Sequence, residues 1–120
     1  MDLETVFTIC NVLSISLWVF LVAAPRWKGT QVIVHSFAIP MGLAVVYAIM
    51  MGIGLSEGNG GNFNSLAGVR TLFESDHALL AGWIHYLVFD LFVGAWEVRD
   101  AKKLRINHLL VIPCLFFTLM

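Results

Sequence analysis

Charge is the first thing in short supply. Asp, Glu, Lys and Arg together make up 12% of the 120 residues, about half the ~25% found in ordinary soluble domains. The two signs nearly cancel, at a formal net charge of −1. That balance excludes a bulk polyionic surface and gives nucleic acid no footing as a partner. Cysteine is scarce as well. Cys10 and Cys114 both lie in apolar runs; they are too few for a disulfide framework and too widely spaced for a metal site, and they read as small buried hydrophobes. The four histidines, His35, His77, His85 and His108, never recur at i,i+3 or i,i+4, so no metal site is expected. A haem between His35 and His85 would need ligands at one depth, whereas these differ by roughly 8 Å at ~1.5 Å per residue. The Gly- and Asn-rich stretch 56–62 lacks the lysine of a phosphate loop, which removes nucleotide binding, and is expected to be a loop without fixed structure. No local Ser or Cys nucleophile motif is present either.

What is there is apolar. Hydrophobic residues make up 59% of the chain, and a chain this short buries too small a fraction of its area to hide them from water. Lipid has to take the remainder. The expected fold class is therefore all-α: a polytopic transmembrane bundle in one domain, residues 1–120, with three full spans and a short or truncated fourth. The spans are expected at 6–24, 30–55, 78–96 and 109–120, with an interfacial segment at 64–74. Pro40 is expected to kink the second. Asp2 and Glu4 stand where a cleaved leader would carry Lys or Arg, so the first run reads as a retained span.

Basic residues give the orientation. Arg26 and Lys28 follow the first span, and Arg99, Lys102, Lys103 and Arg105 follow the third; the opposite connections hold only Arg70. Six against one predicts an integral, multi-pass protein of a bacterial inner membrane or plastid-type membrane. Its N-terminus lies outside and its basic loops are cytoplasmic.

Ionisable residues within the spans are costly and read as functional. Asp90 opposes insertion by ~2.5–3.5 kcal/mol, which the neighbouring Leu, Ile, Phe and Val residues offset at ~0.3–0.6 each. Trp83, Tyr86, Asp90, Gly94 and Glu97 share one helix face, whereas His85 lies about 140° away. Each therefore needs a partner on another helix. Matching depths predict a His35–Asp90 layer and an Asn11–His85 layer, bridged by Trp18 and Tyr47. A structural role competes at every one of these positions: Asn11, Ser14 and Trp18 form a stripe that reads first as packing glue.

The pattern L-A-G-W-x-H-Y-L-x-F-D-L-F-x-G at residues 80–94 resembles the abscisic-acid-deficient-four-like family of small membrane proteins. Asn11, Trp18 and Pro25, the Leu66-Ala67-Gly68 run and the Leu72-Phe73 pair match more loosely. The last residues, from Pro113 to Met120, look like the start of the family's final span, which elsewhere continues into a Gly-Pro-containing apolar helix. The resemblance implies a role near the step from violaxanthin to neoxanthin, for which plant plastid members are required. That step is a net isomerisation in which an epoxide opens while a proton leaves carbon, giving an allene. It calls for an acid, a base and a dry apolar pocket, with no redox cofactor.

On that reading Asp90 is the catalytic base and His85 the acid or oxygen donor. Trp83, Tyr86, Asn11, Trp18 and His35 bind the substrate, no cofactor is needed, and the enzyme class is an intramolecular isomerase. Expected partners are membrane lipid, a carotenoid or isoprenoid ligand, and a second copy of the chain. Two alternatives stand beside it: a carotenoid- or lipid-binding assembly subunit without catalysis, and a small transporter or channel subunit using Asp90 and Glu97 as a polar path.

Overall fold

Asp2 opens the first helix by accepting the Thr5 N–H at 2.9 Å, and Pro25 helps to close it, since proline cannot continue the ladder. This helix, α1, runs Leu3–Ala23. The computed structural model describes residues 1–36 and 38–120 and adds five more helices: α2 (Lys28–Ile33), α3 (Ala38–Ser56), α4 (Leu66–Leu72), α5 (Asp76–Lys103) and α6 (His108–Leu119). No strand occurs among the described residues. Three stretches, Leu3–Ala23, Lys28–Ser56 and Asp76–Lys103, are long and apolar enough to cross a membrane. The 12 residues of α6 reach about 18 Å, short of a ~30 Å hydrocarbon core.

The second stretch differs from the single kinked helix expected over 30–55. The helix stops at Ile33, passes through a turn at Val34, His35 and Ser36, and restarts at Ala38. Phe37, within that expected span, lies outside the described residues. Pro40 therefore sits in the first turn of α3, where its missing N–H has no intrahelical partner to lose. It starts a helix rather than bending one. The third helix also runs past the expected end at residue 96, because Val98 and Ala101 stay buried on its inner face while charged neighbours take the outer one.

The 57–75 connection is pinned rather than unstructured. Asn59 Nδ2 donates to the Thr71 carbonyl at 2.6 Å, and the Asn62 N–H donates to the Gly68 carbonyl at 3.1 Å. Gly61 lies against the Leu72 backbone so closely that a Cβ would sit 2.3 Å from it. Glu57 clasps the far end, accepting from the Ser75 hydroxyl and meeting His77 Nδ1 at 2.6 Å. Asparagine side chains stand in for a backbone ladder here, a use of the loop that its composition alone does not reveal.

α5 is the hub against which α3, α1 and α6 all pack. One core joins Leu17, Trp18 and Leu21 of α1 with Leu91, Ala95 and Val98 of α5 and with Val111 and Leu115 of α6. The other joins Cys10, Leu43, Leu80, Ile84 and Leu87. Small residues set the closest approach: a Cβ on Gly54 of α3 would come within 2.7 Å of the Ala78 nitrogen. On either side of α1 the helices part into apolar grooves, about 520 Å³ toward α3 and about 450 Å³ toward α6.

Candidate functional site

The face of α5 that carries Trp83, Tyr86, Asp90, Gly94 and Glu97 touches both α1 and α6, although only Gly94 of the five is buried. Trp83 Nε1 donates to Asn11 Oδ1 of α1 at 2.8 Å, and its ring lies 5.4 Å from that of Tyr86. The Tyr86 hydroxyl donates to the Leu119 carbonyl of α6 and also neighbours the Asp90 carboxyl one turn on. The Trp18 ring lies over Gly94, where a Cβ would come 2.6 Å from its edge. Thr118 of α6 donates to both Glu97 oxygens, at 2.8 and 3.0 Å. A polar seam thus runs the length of α5 between its two covering helices.

Among the described residues, four buried side-chain polar atoms have no hydrogen-bond partner, three of them on α1 and α5. They are Ser14 Oγ, Trp18 Nε1 and Asp90 Oδ2, with His35 Nε2 apart from them. Each such atom costs about 1–3 kcal/mol if nothing meets it. Ser14 and Trp18 also line the groove between α1 and α6, whose other walls are Leu87, Ile112, Leu115 and Phe116. The groove surface is therefore wholly apolar: Ser14 Oγ and Trp18 Nε1 are buried behind its wall, and Asp90 is not among its lining residues.

The paired layers expected from depth take a different form. Asn11 is held by Trp83, two residues before the His85 expected to meet it. His85 instead lies against Tyr47 of α3, ring centroids 5.3 Å apart, and stacks on Phe89 at 6.2 Å. His85 thus faces the α3 side of α5 and Asp90 the α1/α6 side, and the structure does not bring them into one pocket. His35 meets Arg99 at 3.0 Å. His35 lies in the turn that follows α2, beside Arg99 toward the end of α5. Trp18 and Tyr47 separate likewise, one to each side of the hub. Residue spacing alone gave no sign of the Tyr86–Leu119 and His35–Arg99 contacts. The Glu97–Thr118 contact had a signal, since Glu97 shares the Asp90 face. Among the described residues, no three His, Cys, Asp or Glu side chains gather as a metal site would require.

The motif on which the resemblance rests is the seam itself. A sequence model of the ABA DEFICIENT 4-like family matches residues 5–120, taking in α1, the seam and α6 together. The chain belongs to the ABA DEFICIENT 4-like family. No curated protein and no solved structure matches it. For this family member, the aromatic, acidic and Gly positions of the α5 pattern have concrete neighbours. Trp83 tethers α1, Tyr86 tethers α6, Gly94 seats Trp18, and Asp90 keeps one carboxylate oxygen unused between them.

Proposed function

We propose that the chain crosses the bilayer three times, N-terminus outside and basic turns on the cytoplasmic or stromal-type face, and isomerises an epoxide-bearing carotenoid or related isoprenoid held against the α5 seam. The observation that carries this reading is a wholly apolar groove of about 450 Å³ between α1 and α6, with Ser14 Oγ and Trp18 Nε1 buried behind its wall and Asp90 Oδ2 buried on the neighbouring face of α5, all three without a hydrogen-bond partner among the described residues. A long hydrocarbon suits the groove, and its oxygenated end reaches the buried polar atoms through a side-chain shift at the groove wall. Asp90 takes the proton from carbon. The C–H electron pair becomes the new C=C bond of the allene, the epoxide C–O bond breaks, and the oxygen is protonated to an alcohol. Atoms and electrons balance without an oxidant. The Tyr86 hydroxyl stands nearer to Asp90 than the His85 ring does, so it is the better-placed proton donor, and His85 supports the α3 side.

The test is pigment profiling of a producing host that carries Asp90→Asn, Tyr86→Phe or His85→Ala, with insertion checked for each. Asp90→Asn is expected to abolish the isomer, consistent with the ~10²–10⁴-fold contribution of a general base. Full conversion by Asp90→Asn would sink the reading.

A second reading draws on a specific observation: Trp83, Tyr86 and Glu97 each make an interhelical tether. If the motif serves packing alone, the protein is a carotenoid- or lipid-binding assembly subunit. Asp90→Asn would then lower its yield and leave the pigment isomers unchanged.

A further inference from the structure

At the basic end of the bundle, three segments of the chain converge on a pocket of about 800 Å³, lined by Arg26, Lys102, Arg105, Ile106, Asn107 and His108. No acidic residue lines it. Two of these side chains have structural work. Lys102 Nζ donates to the Pro25 carbonyl, and His108 Nε2 meets the Val22 carbonyl at 2.8 Å; both satisfy carbonyls at the C-terminus of α1. That role leaves Lys102 with donors to spare. Arg26 and Arg105 have no such task, since neither side chain makes an ion pair or hydrogen bond among the described residues.

Arg105 is the more informative of the two. Among the described residues it is the one non-glycine residue with positive φ, at 57°. It ends α5 in a Schellman arrangement, with its own N–H bonded to the Lys102 carbonyl at 3.2 Å and the Ile106 N–H bonded to that of Ala101 at 2.9 Å. Glycine fills this position without strain, whereas an L side chain does so at a cost. A guanidinium is thus held at a backbone site where glycine is better, pointed into a pocket that already holds two other cations. Exposed Leu109 and Leu110 follow at once on α6, so the pocket sits where basic turn gives way to apolar surface.

The geometry points to a binding site for the phosphate of an anionic phospholipid headgroup, formed by Arg26, Lys102 and Arg105, with the acyl chains running over Leu109 and Leu110. A pocket of cations between helices at the basic membrane face suits such a headgroup. This inference needs the membrane orientation proposed above but not the isomerase activity, so failure of the pigment experiment leaves it untouched.

The experiment uses the full chain, purified in detergent and titrated with phosphatidylglycerol, phosphatidylcholine or inorganic phosphate, reading retained lipid by native mass spectrometry and melting temperature in parallel. Phosphatidylglycerol is expected to be retained and to raise the melting temperature more than phosphatidylcholine does. Arg26→Gln and Arg105→Gly are each expected to weaken its binding about fivefold. Without added lipid, Arg105→Gly should melt at the same or a higher temperature than the parent, because the glycine relieves strain. That split separates a headgroup site from a structural arginine. Equal retention of phosphatidylcholine, undiminished phosphatidylglycerol binding by both variants, or displacement of the lipid by equimolar inorganic phosphate would overturn the assignment.

Discussion

Gly94 and Trp18 illustrate how much one missing methyl decides. The indole of Trp18 occupies the space above Gly94, with its edge 2.6 Å from where a Cβ would stand, and the same ring forms part of the groove wall. Gly94→Ala is therefore expected to destabilise the bundle by about 1–3 kcal/mol through overpacking, as read by unfolding in mixed micelles. Adding Trp18→Phe removes the clashing edge and should return part of that loss; an unchanged deficit in the double variant would show that the clash is not the cause. At this scale the sequence was informative in a particular way. Helical periodicity places Trp83, Tyr86, Asp90, Gly94 and Glu97 on one face, which flanks the buried face of α5 and touches α1 and α6 while Trp83 and Tyr86 stay exposed. It also places Asn11, Ser14 and Trp18 on one stripe, and the stripe meets α5. Periodicity could not supply partners, because a partner depends on the register between helices, which spacing within one helix does not contain.

Elements were legible wherever composition alone sets them. The first run ends near Pro25, and Asn107 starts α6 by accepting the Leu109 N–H at 3.0 Å, close to the expected start at residue 109. The break before α3 was not legible, since a proline in an apolar run reads equally as a kink or as a first-turn residue. Tethers between elements can be measured directly. A double-mutant cycle of Asn11→Ala with Trp83→Phe should return a coupling of about 0.6–1.7 kcal/mol, the range for hydrogen bonds between helices in lipid. A coupling near zero would mean that α1 is held by packing alone.

For the molecule as a whole, the clasp on the side opposite the basic turns fixes how α3 is joined to α5. The hydrogen bond from Ser75 is the largest effect on the Glu57 carboxyl and, with the contact to His77, holds it below the usual glutamate range against the opposing effect of burial. The folded state thus gives up this proton at a lower pH than the unfolded chain does. The clasp's contribution is fully present above the ordinary glutamate pKa and is lost as pH falls through the lowered folded value. Hydrogen-exchange protection across residues 57–75, taken relative to the intrinsic rate at each pH, should fall on acidification in that window. Glu57→Gln should flatten the response; a loop that exchanges with equal protection at every pH would rule the clasp out as a pH-dependent tie.

The hub arrangement has a consequence for how the protein is made. During synthesis α1 and then α3 emerge ahead of α5, yet the faces they bury in the finished bundle are turned mainly toward α5, and grooves part α1 from its other neighbours. A nascent chain halted at the Gly- and Asn-rich connection therefore holds two helices that share only the contact around Cys10 and Leu43, the Asn11 side chain of the first still without its indole. Most of the packing that assembles the bundle waits on a single event, the arrival of the third long helix from the ribosome.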